Sequence, residues 1–375
     1  MKLTILKDIL KEGIFFANKI TQKTFSLPIL HTTLLEAKKN FLILKNTNLE
    51  TAISWQGLAN IEKEGKICVN TKTLFHLAST LPTKKIEMIQ ENNNLLIKGE
   101  KINLRIPGIE SQEFPLIPEL KDKENSIILE KDPFLFALSS LARIPVFSSA
   151  RPEISGIFIS IQEKEIKLVA TDSFRLSERK IEGSFDKKNV KIIIPLSSVK
   201  ELISVLEKSE RELKVYFNQS QFWVEFDLPQ LVESKVVYTS RLIEGDYPKY
   251  EEVIPKKFSV KAILNKEEML ENLKSASFFS GKNNEVRLKI LPKENSVLVS
   301  SRSLEQGEYE GKVEAEIEGK LDLEIYFNCK FLIDGILEVN EPKFEFNFTS
   351  QDGAATIKPL EEKNYLYVVM PIKNF

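Results

Sequence analysis

Cysteine is nearly missing from this chain. Only Cys68 and Cys329 occur among 375 residues, too few and too far apart for a disulfide framework or a zinc knuckle. Both are expected as reduced, buried thiols of a cytosolic protein. Histidine is as scarce: His31 and His76 leave little material for a catalytic triad or a His-rich metal site. Glycine numbers 14, well under the usual share of ~7%, so Gly-rich phosphate loops are not expected. No apolar run reaches the ~18 residues that suggest a membrane-spanning helix. The opening segment MKLTILKDILKEGIFFANKI carries Lys7, Asp8, Lys11 and Glu12, charges that a signal-peptide core would not tolerate. Net charge is missing too. Lys and Arg total 53 against 54 Asp and Glu, a balance of −1. That removes the simplest argument for nucleic acid, a strongly basic chain, while leaving both signs free to segregate onto different faces.

What is present is ordinary globular material. Hydrophobic residues make up 42% and charged residues 29%, a balance that supports real cores. At roughly 100–200 residues per domain the length predicts two to four domains. The chain repeats itself. ILKDIL at 5–10, LEKDPF at 129–134 and LNKEEM at 264–269 each place a Lys and an acid between apolar residues. Each continues with apolar residues at helical spacing: Leu10 and Ile14, Phe134 and Leu138, Met269 and Leu273. The pattern reads as strand end, acidic first turn and amphipathic helix, with Pro133 where a first-turn Pro is tolerated. A second helix set starts at Val69, Ile194 and Phe327, separated by 125 and 133 residues, against 124 and 135 for the first set. Asn46-Thr47-Asn48 and Ala170-Thr171-Asp172 are again 124 apart.

Between the helices the period is two, the strand signal: GIFISIQ, KEIKLVATD, LKVYFNQ, QFWVEFDL, KVEAEIE, KLDLEIYF and KFEFNFTS. Polar pairs at Asn218 to Gln221 and Lys293 to Ser296 read as hairpin turns. FPLIP at 114–118 and YPKYEEVIP at 247–255 mark unit ends, each followed by a charged connector. The expected fold class is α+β: three repeated domains at 1–120, 127–254 and 258–375, each with two helices packed on antiparallel sheets. The period is far too long for a solenoid. Units related by one repeated rotation form a curved array, which closes into a ring when another copy completes the turn.

Several runs resemble the bacterial DNA polymerase III beta subunits, the replicative sliding clamps. ATDSFRLS at 170–177 resembles the family's most recognisable block, usually ATDGHRLA. TSRLIEGDYPKY at 239–250 resembles its second block and YVVMPI at 367–372 its C-terminal end. SLPIL at 26–30 and IPGIESQEFPLIP at 106–118 match patterns of the first unit. The resemblance covers the whole chain in order. It implies three DNA-clamp domains per half-ring and a head-to-tail homodimer around duplex DNA. It implies a processivity factor without catalysis or cofactor, acting in the cytoplasm with the polymerase III catalytic subunit, the clamp loader and other replication and repair proteins.

Residues follow from it one by one. Positions matching the family's partner-peptide pocket, between the second and third domains, are Ile154, Thr171, Ser173, Phe174, Arg175, Leu176, Pro248, Val253, Val368, Met370, Pro371 and Ile372. Met suits a wall that accepts many peptides, and Arg175 suits a peptide carbonyl or an aromatic ring. Three positions depart from the family. Ser173 replaces the usual Gly, which is dispensable if the turn avoids positive φ; Phe174 replaces the usual His; Glu252 stands where some relatives carry a basic residue. A ring should place Lys and Arg on its inner helices, facing DNA phosphates. The expected DNA-facing residues are Lys7, Lys11, Lys23, Lys72, Arg143, Lys200, Lys274 and Lys330, interrupted by acids such as Asp8, Glu201 and Asp334. Subunit contact is expected at Leu104 and at Phe278-Phe279, since adjacent helical residues lie ~100° apart and cannot share one buried face. Two other readings stay open: a peptide-binding scaffold that encircles nothing, and an enzyme using Asp172 or Glu244 with Arg175. Ring closure separates the first from a clamp, and turnover of a substrate would mark the second.

Overall fold

The computed structural model describes residues 1–20, 27–120, 126–185, 189–228 and 233–373. One element order recurs three times. The first repeat comprises β1 (Lys2–Leu6), α1 (Lys7–Ile20), β2 (Thr32–Lys38), β3 (Phe41–Thr47), β4 (Thr51–Leu58), β5 (Asn60–Lys63), β6 (Gly65–Asn70), α2 (Thr71–Thr80), β7 (Lys85–Glu91), β8 (Asn94–Gly99) and β9 (Ile102–Ile109). The second comprises β10 (Ser126–Glu130), α3 (Lys131–Leu141), β11 (Gly156–Ile161), β12 (Glu165–Thr171), β13 (Arg175–Glu182), β14 (Val190–Pro195), α4 (Leu196–Leu206), β15 (Glu212–Phe217), β16 (Gln221–Asp227) and β17 (Lys235–Arg241). The third comprises β18 (Val260–Asn265), α5 (Lys266–Phe278), β19 (Glu285–Leu291), β20 (Ser296–Ser303), β21 (Gly307–Glu318), β22 (Leu323–Asn328), α6 (Cys329–Leu337), β23 (Lys343–Phe348), β24 (Ala355–Pro359) and β25 (Tyr365–Val369). The second and third repeats agree element for element, and the first adds only β5.

Local chemistry explains these boundaries. The first helix of each repeat carries acids in its opening turn: Asp8, Asp132, and Glu267 with Glu268, where the helix dipole favours negative charge. Asn70 and Asn328 cap the second helices of repeats one and three through backbone N–H groups. The Lys that recurs at the first helix start has a tertiary use. Lys7 Nζ donates to the Leu81 carbonyl at the end of α2, 2.8 Å away. Lys266 Nζ donates to the carbonyls of Leu337, the last residue of α6, and Val339 just beyond it, at 3.0 and 2.5 Å. In repeats one and three a cation on the first helix thus satisfies carbonyls left open by the second. The period-two segments all fall on strands. In β23, Phe344, Phe346 and Phe348 are fully buried, each contributing about 1.5–3 kcal/mol of apolar burial. Both cysteines are buried; burial pushes the Cys68 thiol up to about 11 and Cys329 to about 12.

The described residues cluster into two compact units that cut across the three repeats. One holds Met1–Phe136 with Ser197–Ile243, the other Ala137–Leu196 with Glu244–Phe375. The first contains a 13-stranded sheet in the order β10-β15-β16-β17-β4-β3-β2-β6-β9-β8-β7-β1-β5. The second contains a 12-stranded sheet in the order β14-β11-β12-β13-β25-β24-β23-β18-β21-β20-β19-β22. Backbone ladders between repeats cause this division. Antiparallel β17 pairs with β4, Tyr238 opposite Ile53, and β25 pairs with β13, Val368 opposite Leu176. The strands of repeat two are thereby shared between its neighbours' sheets.

Candidate functional site

The ATDSFR segment forms the turn between β12 and β13. The Thr171 hydroxyl donates to the Arg175 carbonyl at 2.7 Å and accepts from Ser173 N at 3.2 Å. Asp172 Oδ1 accepts from Phe174 N and Arg175 N, both at 3.0 Å. These side-chain bonds add to the backbone bond from Asp172 N to the Arg175 carbonyl, at 3.2 Å, and set the turn. They hold Ser173 at φ 76°. The condition under which Gly would be dispensable, a turn that avoids positive φ, is therefore not met: the position is left-handed and Ser occupies it, at a cost of about 1 kcal/mol. Beyond it the Phe174 ring is 63% exposed, while Leu176 is buried.

The C-terminal strand supplies the second wall. Arg175 lies opposite Val369 and Leu176 opposite Val368. Past the strand end, Met370 N donates to the Phe174 carbonyl at 2.8 Å, and Ile372 N donates to the Tyr326 carbonyl at 2.7 Å. Val368 and Pro371 are buried, Ile372 is half-buried and Met370 is partly exposed. Ile154 is buried in a short turn that follows Arg151, whose Nη1 donates to Ser173 Oγ at 3.1 Å. The linker is pinned by two tyrosines. Tyr247 stacks on Phe158 with centroids 4.6 Å apart, and the Tyr250 hydroxyl donates to Glu178 at 2.7 Å. Burial, aided by the Glu178 carboxylate, holds the Tyr250 phenol well above its ordinary value, so it remains the donor. Pro248 beside them is half-buried and Val253 is exposed. The structure thus brings the turn and the tail together and anchors the flanking loop and linker nearby.

Arg175 is engaged within the chain. It is buried, with Nε 2.9 Å from Asp172, Nη1 2.6 Å from Asp334 and Nη2 donating to the Arg143 carbonyl at 3.2 Å. The ring it covers is the protein's own Phe331, with the centroid 4.2 Å away. Asp334 and Phe331, both on α6, were not among the expected cleft residues. A signal for Asp334 existed: it follows Glu201 by 133 residues, the step between the second helices.

The other expected residues are more dispersed. Lys11, Lys72, Lys200, Lys274 and Lys330 are exposed on helices. Arg143 is exposed and 3.6 Å from Glu338. Lys7 is half-buried and committed to Leu81, so its charge serves the α2 end rather than a free phosphate-facing surface. Lys23 lies outside the described residues. Lys208 instead sits 3.9 Å from the Phe15 ring centroid and 3.3 Å from Glu12. Leu104 is half-buried on β9, opposite Ile97. The Phe pair divides: Phe278 is 65% exposed, while Phe279 stacks on Tyr309 at 6.3 Å. Among the described residues no His, Cys, Asp and Glu group could hold a metal ion, and no helix is long and apolar enough to cross a membrane.

A unit built three times and joined strand to strand, with the 171–175 turn bonded to the C-terminal tail, defines a three-domain clamp fold. The family models of the DNA polymerase III beta subunit match in order: N-terminal domain at 1–118, central domain at 146–249 and C-terminal domain at 251–373. The beta sliding clamp of Bacillus subtilis is 25% identical over the full length of both chains. The solved DNA polymerase III beta subunit of Thermotoga maritima is 26% identical with TM-score 0.88, and that of Pseudomonas aeruginosa 20% identical with TM-score 0.92, each covering both chains completely. The chain belongs to the DNA polymerase III beta subunit family.

Proposed function

We propose that this protein is a replicative sliding clamp, a processivity factor rather than an enzyme. Its domains are assigned to 1–120, 127–254 and 258–375. Two chains close head to tail around duplex DNA and tether the polymerase III catalytic subunit, the clamp loader and other replication and repair proteins in the cytoplasm. The observation that carries this reading is the family match in all three domains together with the apolar turn and tail at Phe174 and Met370. A partner peptide docks against the pocket residues Ile154 to Ile372 named above. The exposed helical Lys11, Lys72, Lys200, Lys274 and Lys330, with Arg143, provide loose, base-independent phosphate contacts that permit sliding.

The repeat logic supports the dimer. β17 and β25, the last strands of repeats two and three, pair with β4 and β13. The equivalent last strand of repeat one is β9, and the equivalent of β4 and β13 in repeat three is β21. Among the described residues, β21 meets β20 along Gly307–Glu314 and β18 only at 315–318. β9 meets β8 along Ile102–Pro107 and β6 only at 108–109. Each leaves an edge that a strand of a second chain can join, and Leu104 and Phe278 belong to these two regions.

The test is retention by topology. Loaded on nicked circular DNA, the protein survives moderate salt and is released when the circle is cut. Retention on linear DNA with free ends, or gradual salt release along a steep log–log slope, would contradict enclosure.

A further inference from the structure

We propose that Asp334 is a positioning residue for the partner cleft: through the Arg175 guanidinium it fixes the 171–175 turn and so the direction in which Phe174 is presented. This rests on reading the cleft as a partner-peptide site. The Arg175 side chain directs Nε to Asp172, Nη1 to Asp334 and Nη2 to the Arg143 carbonyl, with its flat face on Phe331. One face of this guanidinium is covered and three of its N–H groups are committed, so its planar fork ties three segments together. Phe174 sits inside that tie. Its N–H donates to Asp172, which holds the same guanidinium, and its carbonyl accepts from Met370 N. Asp334 is the carboxylate that reaches this turn from the third repeat.

The first repeat junction supplies an internal comparison. Its turn has the same bonds: Thr47 hydroxyl to Thr51 carbonyl at 2.8 Å, and Asn48 Oδ1 accepting from Glu50 N and Thr51 N. Its helix acid is Glu201, which accepts from the Thr51 hydroxyl at 2.6 Å and from Asn48 Nδ2 at 3.1 Å. The helix-to-strand pin is also repeated, as Tyr238 hydroxyl to Ser198 carbonyl and Tyr367 hydroxyl to Phe331 carbonyl, each 2.8 Å. An acid on the second helix therefore holds the turn at both junctions, but only Asp334 does so through an arginine beside an exposed aromatic.

The experiment compares Asp334→Ala with Glu201→Ala in the full chain, since Ala suits either helix interior. Hydrogen exchange over residues 170–176 and at Met370 reads turn order without any ligand. Fluorescence anisotropy with a labelled polymerase-derived peptide reads binding. For Asp334→Ala the turn amides should exchange faster, and peptide affinity should fall by about tenfold, the size of one lost charge-assisted bond. Asp334→Glu, which keeps the carboxylate, should restore both, and Glu201→Ala should change neither. Unchanged exchange in Asp334→Ala would overturn the proposal, as would an equal loss of peptide affinity in Glu201→Ala. A parent protein that binds no peptide would sink the cleft reading instead, while the exchange arm still decides whether Asp334 orders the turn.

Discussion

The two repeat junctions share a backbone and differ in what they show to solvent. At the first, the Glu50 carbonyl accepts from Arg241 N at 2.9 Å; at the second, the Phe174 carbonyl accepts from Met370 N at 2.8 Å. Leu49 and Ser173 hold matching left-handed conformations, φ 75° and 76°. Register equates Thr239 with Val368 and Ser240 with Val369, through their pairing opposite Ala52 with Leu176 and Thr51 with Arg175. The first junction thus carries Glu50, Thr51 and Arg241 where the second carries Phe174, Arg175 and Met370. Repetition supplied the scaffold, and substitution at a few positions made one copy apolar. A peptide with buried apolar anchors distinguishes such copies, because a few desolvated side chains dominate its binding.

The proposed junction between chains gives the largest expected effect. Phe278→Ala combined with Phe279→Ala should convert the dimer into folded monomers of 43.0 kDa in sedimentation; an unchanged dimer would remove this pair from the interface. Next comes a direct exchange of junction chemistry. Phe174→Glu with Met370→Arg gives the second junction the polar pair of the first. It should lose about 3 kcal/mol or more of peptide binding, on the order of a hundredfold, with an unaltered melting curve, since the first junction already carries that pair on the same backbone. Peptide titration of equal affinity would break the comparison.

Glu201→Ala sharpens it from the other side. The variant leaves the buried Thr51 hydroxyl and Asn48 amide without their carboxylate, which should cost about 2 kcal/mol of stability in denaturant unfolding. No measurable loss would mean that the first junction does not need its helix acid. The smallest effect concerns the left-handed positions. Ser173→Gly and Leu49→Gly should each raise stability by about 0.5–1 kcal/mol, read as shifts in the unfolding midpoint. Opposite signs would show that the two turns are not equivalent after all.

Much of this is legible in the sequence. The helix starts were written in acids and apolar spacing, and the strands in alternation, because both signals depend on neighbours a few residues apart. The triplication was legible for the same reason, as a local pattern recurring at a nearly constant step. The turn at 171–175 belongs here too, since Thr171 and Asp172 bond backbone groups no more than four residues away. Its handedness did not: Ser173 carries no glycine signal, and only the closed bonds of the turn reveal the positive φ.

Long-range partners lay beyond the sequence. Lys7 reads as a free cation on a helix until Leu81, 74 residues later, takes its amine. Arg175 reads as a ligand-binding group until Asp334, 159 residues later, encloses it. The sharing of repeat two's strands between neighbouring sheets depends likewise on ladders joining β17 to β4 and β25 to β13. The repeated unit, its helices and strands and the composition of its turns follow from short-range periodicity and side-chain chemistry, and so are readable along the chain. Which charges are occupied and which apolar groups stay open depends instead on segments that folding brings together across the repeats.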